Sequence, residues 1–196
     1  MSATPVTAFT EVVDTVAYLV EHVEEQRWSA PTPCTDWTVR QLIDHLVAGE
    51  RTFAHVMGAE APLPALDADT APEELKRTFR TSAATLVAAF EAPGALERTV
   101  QAPVGEVPGA VALHLQTIEH LVHGWDLARA IGQKALFDDA TVERETEFAR
   151  GLLARLPSGP GAPSGPGAPF APSRTAPEDA PALDRLAALL GRDITG

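Results

Sequence analysis

The chain has 196 residues, 45% of them hydrophobic, enough to bury one sizeable core without requiring a second domain. A formal net charge of -12, with no local excess of Lys and Arg, argues against a nucleic-acid partner. No apolar run approaches the roughly 20 residues that cross a bilayer, and the start MSATPVTAFTEVVDT has neither a basic end nor an apolar signal core, so a cytoplasmic protein without a membrane partner is expected.

The first predicted helix runs from Pro5 to Arg27, with Val6, Phe9, Val13, Val16, Val20 and Val23 as its apolar stripe. His22, flanked by acids, reads as a solvated residue. SAPTPCTDW follows as a loop, because its prolines block helix. It holds Cys34, the only cysteine, which excludes an intrachain disulfide framework and any cysteine-based metal cluster within one chain. A nucleophile is one reading of Cys34; a half-buried thiol filling a turn is the simpler one.

Thr38 and Gln41 then read as a capping box that opens a helix reaching Met57. Its apolar face carries Val39, Leu42, Ile43, Leu46, Val47, Phe53, Ala54 and Met57. His45 lies on the flank of that stripe and Gly49 one turn beyond it. A helical glycine costs about 1 kcal/mol relative to alanine, and space above a buried His45 would explain it; an exposed His45 with an incidental glycine is the alternative. His55, on the far side, reads as surface.

Gly58–Thr70 reads as a long crossover loop and Pro72 as the first residue of a third helix, with Leu75, Phe79, Ala83, Leu86, Val87 and Phe90 inward and Pro93-Gly94 as its stop. Residues 95–108 read as a connecting loop with room for a short extended piece, since Pro103 and Pro108 bound any strand to a few residues. Gly109–Gln133 is the longest helix, apolar around more than half of its circumference and therefore mostly buried. Glu119 and His123 stand at i, i+4 on it, close enough for one divalent ion to bridge, although the same spacing suits a simple ion pair. Asp126 is able to accept from His123 or to pair with Arg129. Trp125 reads as core and His120 as a surface or back-up histidine pointing away from the Glu119/His123 line.

A helix from Asp139 to Leu156 begins with acids and turns Val142, Phe148, Leu152 and Leu153 inward. Proline and glycine in the doubled SGPGAP between Ser158 and Pro169 deny regular structure, so this is a linker. PALDRLAALLGRDITG closes the chain as a short amphipathic helix. The expected organisation is a bundle over 1–157, a linker over 158–178 and a closing helix over 179–196 that packs on the bundle.

Four long helices, a crossover loop, a His on the second helix and a Glu/His pair on the fourth resemble the DinB and YfiT-like superfamily of metal-binding bundles. PTPCTDWTVRQLIDHLV and IEHLVHGWDLARAIGQ are similar to the two metal motifs of its actinobacterial branch related to mycothiol-dependent maleylpyruvate isomerase, and ALDRLAALLGRD to the closing helix of a single-domain subfamily. The resemblance implies an all-α, DinB-like four-helix bundle with additional C-terminal helices. It implies His45, Glu119 and His123 as ligands of a divalent metal, zinc first and nickel second, with Asp126 orienting the ring of His123 or ligating as well. It further implies a small thiol such as mycothiol, a small electrophilic substrate, and thiol transfer or isomerisation, with a homodimer among related bundles. Isomerases of this branch carry a second, mixed domain after the bundle, where this sequence has the Pro/Gly linker and one short helix. A non-catalytic metal-binding or stress-associated module is the competing expectation.

Overall fold

The computed structural model describes residues 4–34, 37–59, 67, 69–102, 105–155 and 172–195. They form two compact units, residues 1–135 and 136–196. The first unit is a bundle of α1 (Pro5–Glu21), α2 (Val39–Val56), α3 (Pro72–Glu91) and α4 (Gly109–Ile131). Its main contacts run α1 to α3, α3 to α2, α2 to α4 and α4 to α1, so that α1 and α2 occupy opposite corners. Phe9, Leu19, Leu42, Ile43, Leu75, Phe79, Leu86, Phe90, Ile118 and Leu121 fill the centre, where Phe9 meets Phe90 edge to face at 5.5 Å.

Local chemistry at the helix starts satisfies or removes free amides in three places. Thr4 accepts from the Thr7 amide at 3.1 Å ahead of Pro5. Thr38 and Gln41 form the reciprocal capping box on α2. Pro72 starts α3 without needing an amide partner. At the other end of α2, the Arg98 guanidinium donates to the Met57 carbonyl, placing a cation where the helix is most negative.

α1 stops at Glu21, and Val23 is buried from the turn that precedes a short 3-10 helix at Glu25–Arg27, so the apolar stripe outlasts the helix. The short extended piece allowed within 95–108 is two strands, β1 (Thr99–Ala102) and β2 (Gly105–Pro108), paired as an antiparallel hairpin with Val100 opposite Val107. Only Val100 and Ala102 of β1 turn inward, too short an alternation to announce a strand.

The hairpin delivers the chain into α4. Gly109 and Ala110 donate their amides to the carbonyls of Arg98 and Leu96 at 2.8 and 2.9 Å. A Cβ on Gly109 would lie 2.0 Å from the Ala95 carbonyl oxygen, so glycine is required by the close approach of two backbones. α4 ends at Gly132 in the left-handed conformation, φ 72°.

In the second unit, Asp138 caps α5 (Asp139–Leu153) by accepting from Thr141, and α6 (Ala182–Leu189) packs on α5 with an Arg185–Glu143 ion pair between them. α5 ends short of Leu156, and it buries Thr141, Val142, Glu145, Thr146 and Ala149, with Phe148, Leu152 and Leu153 only half-buried. The SGPGAP repeat and most of the expected crossover loop lie outside the described residues. No helix among the described residues is long and apolar enough to cross a membrane.

Candidate metal centre

α4 is buried along most of its length, and α2 lies against it. This brings His45, 74 residues before Glu119 in sequence, onto the face of α4 that carries Glu119 and His123. His45 Nε2 lies 3.4 Å and His123 Nε2 3.2 Å from the same oxygen, Glu119 Oε2. One nitrogen from each ring and one carboxylate oxygen thus converge, all within 4.8 Å of one another. The His45 and Glu119 side chains remain 39% and 35% exposed while His123 is 5% exposed, so the cluster is anchored on α4 and open on the other side.

Asp126 is fully buried one turn beyond His123 and accepts from its Nδ1 at 3.0 Å. A carboxylate in that position fixes the ring and, when the ring is neutral, keeps the Nε2 lone pair directed at the cluster. Arg129 lies over the ring of buried Trp125, 4.8 Å from its centroid.

The electrostatics follow from the crowding of opposite charge. Burial opposes charging of His123, but the hydrogen bonds to Asp126 and Glu119, and their negative charges, outweigh it and push the ring up to about 9. Burial likewise favours protonation of Glu119, yet the hydrogen bonds from His123 and His45, and their charges, hold its carboxyl well below the usual carboxylate range. An anionic carboxylate flanked by two imidazole nitrogens is a donor set that a divalent ion fits, with the ion taking the place of the protons.

The loop leading into α2 supplies two residues at the centre that sequence reasoning did not place there. Trp37 stacks on the His45 ring at 4.3 Å and lies 5.5 Å from that of His123. The Cys34 thiol lies near His123 and Asp126, with the potential ligand atoms of the three within 4.8 Å of one another. The loop is pinned beneath them: Thr32 Oγ1 donates to the carbonyls of Cys34 and Trp37, and the Trp37 amide donates to the Cys34 carbonyl at 2.9 Å.

His120 is not a surface residue. It is fully buried, with Nε2 3.0 Å from Glu50 Oε1 and Nδ1 donating to the Gln116 carbonyl at 2.8 Å. Ser82 of α3 donates to the other Glu50 oxygen. Burial raises the Glu50 carboxyl, opposed by its bonds to His120 and Ser82. The signal that marks this group is Glu50 itself, a charged residue four positions after Leu46 on the otherwise apolar face of α2. Gly49 has open space where a side chain would begin, beside the helix turn that presents His45. His22 and His55 are exposed as expected. A cleft of about 510 Å³ between the start of α1 and the residues after α3, lined by Thr4, Thr7, Phe90 and Gly94 among others, shares no residue with the centre.

Residues 9–128 match the family described as the mycothiol maleylpyruvate isomerase N-terminal domain. Uncharacterized proteins from two strains of Mycobacterium tuberculosis are 36% identical over 190 residues, covering 97% of this chain and 98% of theirs. Among solved structures, the mycothiol-dependent maleylpyruvate isomerase superposes with a TM-score of 0.55 at 18% identity, covering 72% of this chain. A mutant of that isomerase gives the same TM-score at 16% identity, covering 82% of this chain and 72% of its own. The match to the first spans 66% of the isomerase, and these likenesses show the fold.

Proposed function

The chain belongs to the mycothiol maleylpyruvate isomerase N-terminal domain family, whose bundle is DinB-like, and from that premise we propose that it is a divalent-metal protein that uses a low-molecular-weight thiol, mycothiol first among the candidates. The observation that carries this reading is the meeting of His45 Nε2, His123 Nε2 and Glu119 Oε2 at one partly open point. Two imidazoles and one carboxylate leave coordination positions for an exogenous ligand, the pattern of working rather than closed sites. When bound, such an ion would make a coordinated thiol a thiolate near neutral pH.

The chain's own residues then divide the work. His45 and His123 present neutral nitrogens and Glu119 an anionic oxygen. Asp126 holds a proton on His123 Nδ1 and with it the orientation of the ring. Trp37 covers one face of His45 and excludes water from it. The substrate class that suits a thiolate is a small electrophile such as an activated alkene, an epoxide or an alkyl halide, giving S-transfer or an isomerisation through addition and elimination. Isomerase chemistry that draws on the rest of the isomerase chain does not come with a match to 66% of it. A metal-binding module without turnover is therefore the second reading.

The two are separated by consumption of a model electrophile. The enzyme reading expects a rate with thiol and metal together that exceeds the sum of either alone and falls to background in His45→Ala. A rate indifferent to the protein overturns it in favour of the binding module.

A further inference from the structure

The ring of His123 faces a carboxylate on each side: Nε2 lies 3.2 Å from Glu119 Oε2 and Nδ1 3.0 Å from Asp126 Oδ2. Each side also carries further ligand atoms. His45 completes a trio on the Glu119 side, and the Cys34 thiol completes one with His123 and Asp126. We propose that Cys34, His123 and Asp126 form a second, thiolate-containing ligand set for a soft divalent ion, joined to the first set through His123 and independent of His45 and Glu119.

The two sets differ in chemistry. A thiolate, an imidazole and a carboxylate favour a softer ion than two imidazoles and a carboxylate do. His123 Nδ1 faces Asp126 and Nε2 faces Glu119, so each set takes one nitrogen of the same ring. A neutral imidazole has a single lone pair. An ion on Nε2 leaves the proton on Nδ1, which donates to Asp126, and an ion on Nδ1 leaves the proton on Nε2, which donates to Glu119. Filling the Cys34 set displaces the thiol proton and takes the Nδ1 lone pair of the ring, and it removes His123 from the first set. A soft ion therefore competes with zinc without sharing His45 or Glu119. Cys34 is placed for this by its own backbone, whose carbonyl accepts from both Thr32 Oγ1 and the Trp37 amide.

The test is a titration of the full, metal-free chain with cadmium, followed by the ultraviolet charge-transfer absorption of a cadmium–thiolate bond. The wild type is expected to develop the band to saturation at about one equivalent. His45→Ala should keep it, whereas Cys34→Ser should lose it and still bind zinc as the wild type does. His123→Ala and Asp126→Asn should each weaken cadmium binding by about tenfold or more, and cadmium should displace zinc from the wild type but not from Cys34→Ser at the same concentration. Absence of the band in the wild type overturns the proposal, as does a band whose affinity ignores His123, which would mark a solitary thiol. Loss of the band in His45→Ala overturns it as well, because Cys34 would then belong to the first set. Failure of zinc to bind the wild type, with the cadmium band intact, would count against the His45/Glu119/His123 reading alone.

Discussion

His120 Nε2 and Glu50 Oε1 meet 3.0 Å apart with neither side chain in contact with solvent, joining α2 to α4 at the residue adjacent to Glu119. Ser82 ties α3 to the same carboxyl. The network clamps the two helices that present the candidate ligands, and it is fully internal, so its loss cannot be made good by water.

Removing one partner of such a pair leaves the other buried and unpaired. Glu50→Ala should lower the unfolding free energy by about 3–5 kcal/mol, and Glu50→Gln, which keeps hydrogen-bonding capacity, by less. Denaturant unfolding of the metal-free protein measures both; equal, small losses would show that the pair contributes little.

The raised pKa of His123 sets a pH dependence in the metal-free protein. Its folded value of about 9 lies above the 6.5 of the free side chain, so the folded state binds the extra proton. The associated stability is fully present below about 6.5 and is lost as pH rises through about 9. His123→Gln should flatten that part of the stability profile. The same proton competes with an ion, so apparent metal affinity should rise with pH by about tenfold per unit below the folded pKa from this group alone. Calorimetry in buffers of different ionisation enthalpy would detect the released proton.

Asp126→Asn preserves size but removes the charge that orients His123. Metal affinity is expected to fall by about 10- to 100-fold with helix content unchanged. An unaltered affinity would mean that the ring is held by packing alone.

Gly109→Ala drives a methyl group into the Ala95 carbonyl. The backbone junction between the hairpin and α4 must then open, at a cost of about 1–3 kcal/mol. A thermal melt reads the loss directly; a melt matching the wild type would show that the junction yields freely.

The bundle was legible because its determinants are local. Phe9, Val13, Val16 and Val20 on α1, the Thr38–Gln41 box and Pro72 each announce a helix from neighbouring residues. His45, Glu119 and His123 stand out as a ligand set only through the resemblance of their flanking motifs, since spacing alone favours an ordinary ion pair between Glu119 and His123. What escaped notice depends on contacts distant in sequence. Glu50 finds His120 across 70 positions, and nothing near His120 marks that partner. Trp37 and Cys34 sit in an irregular loop that has no periodicity to say which way a side chain turns. Within 95–108 the sequence allows a short extended piece but not its pairing into a hairpin, because only Val100 and Ala102 of the first strand are buried.

An ion held jointly by α2 and α4 should copurify with or load onto the protein, and metal content tests this most directly. Elemental mass spectrometry on protein purified without an affinity tag, after exposure to zinc, should find about one equivalent in the wild type and little in either His45→Ala or His123→Ala. Negligible metal in the wild type, or an equivalent that survives both substitutions, would contradict the assignment of His45, Glu119 and His123 as its ligands.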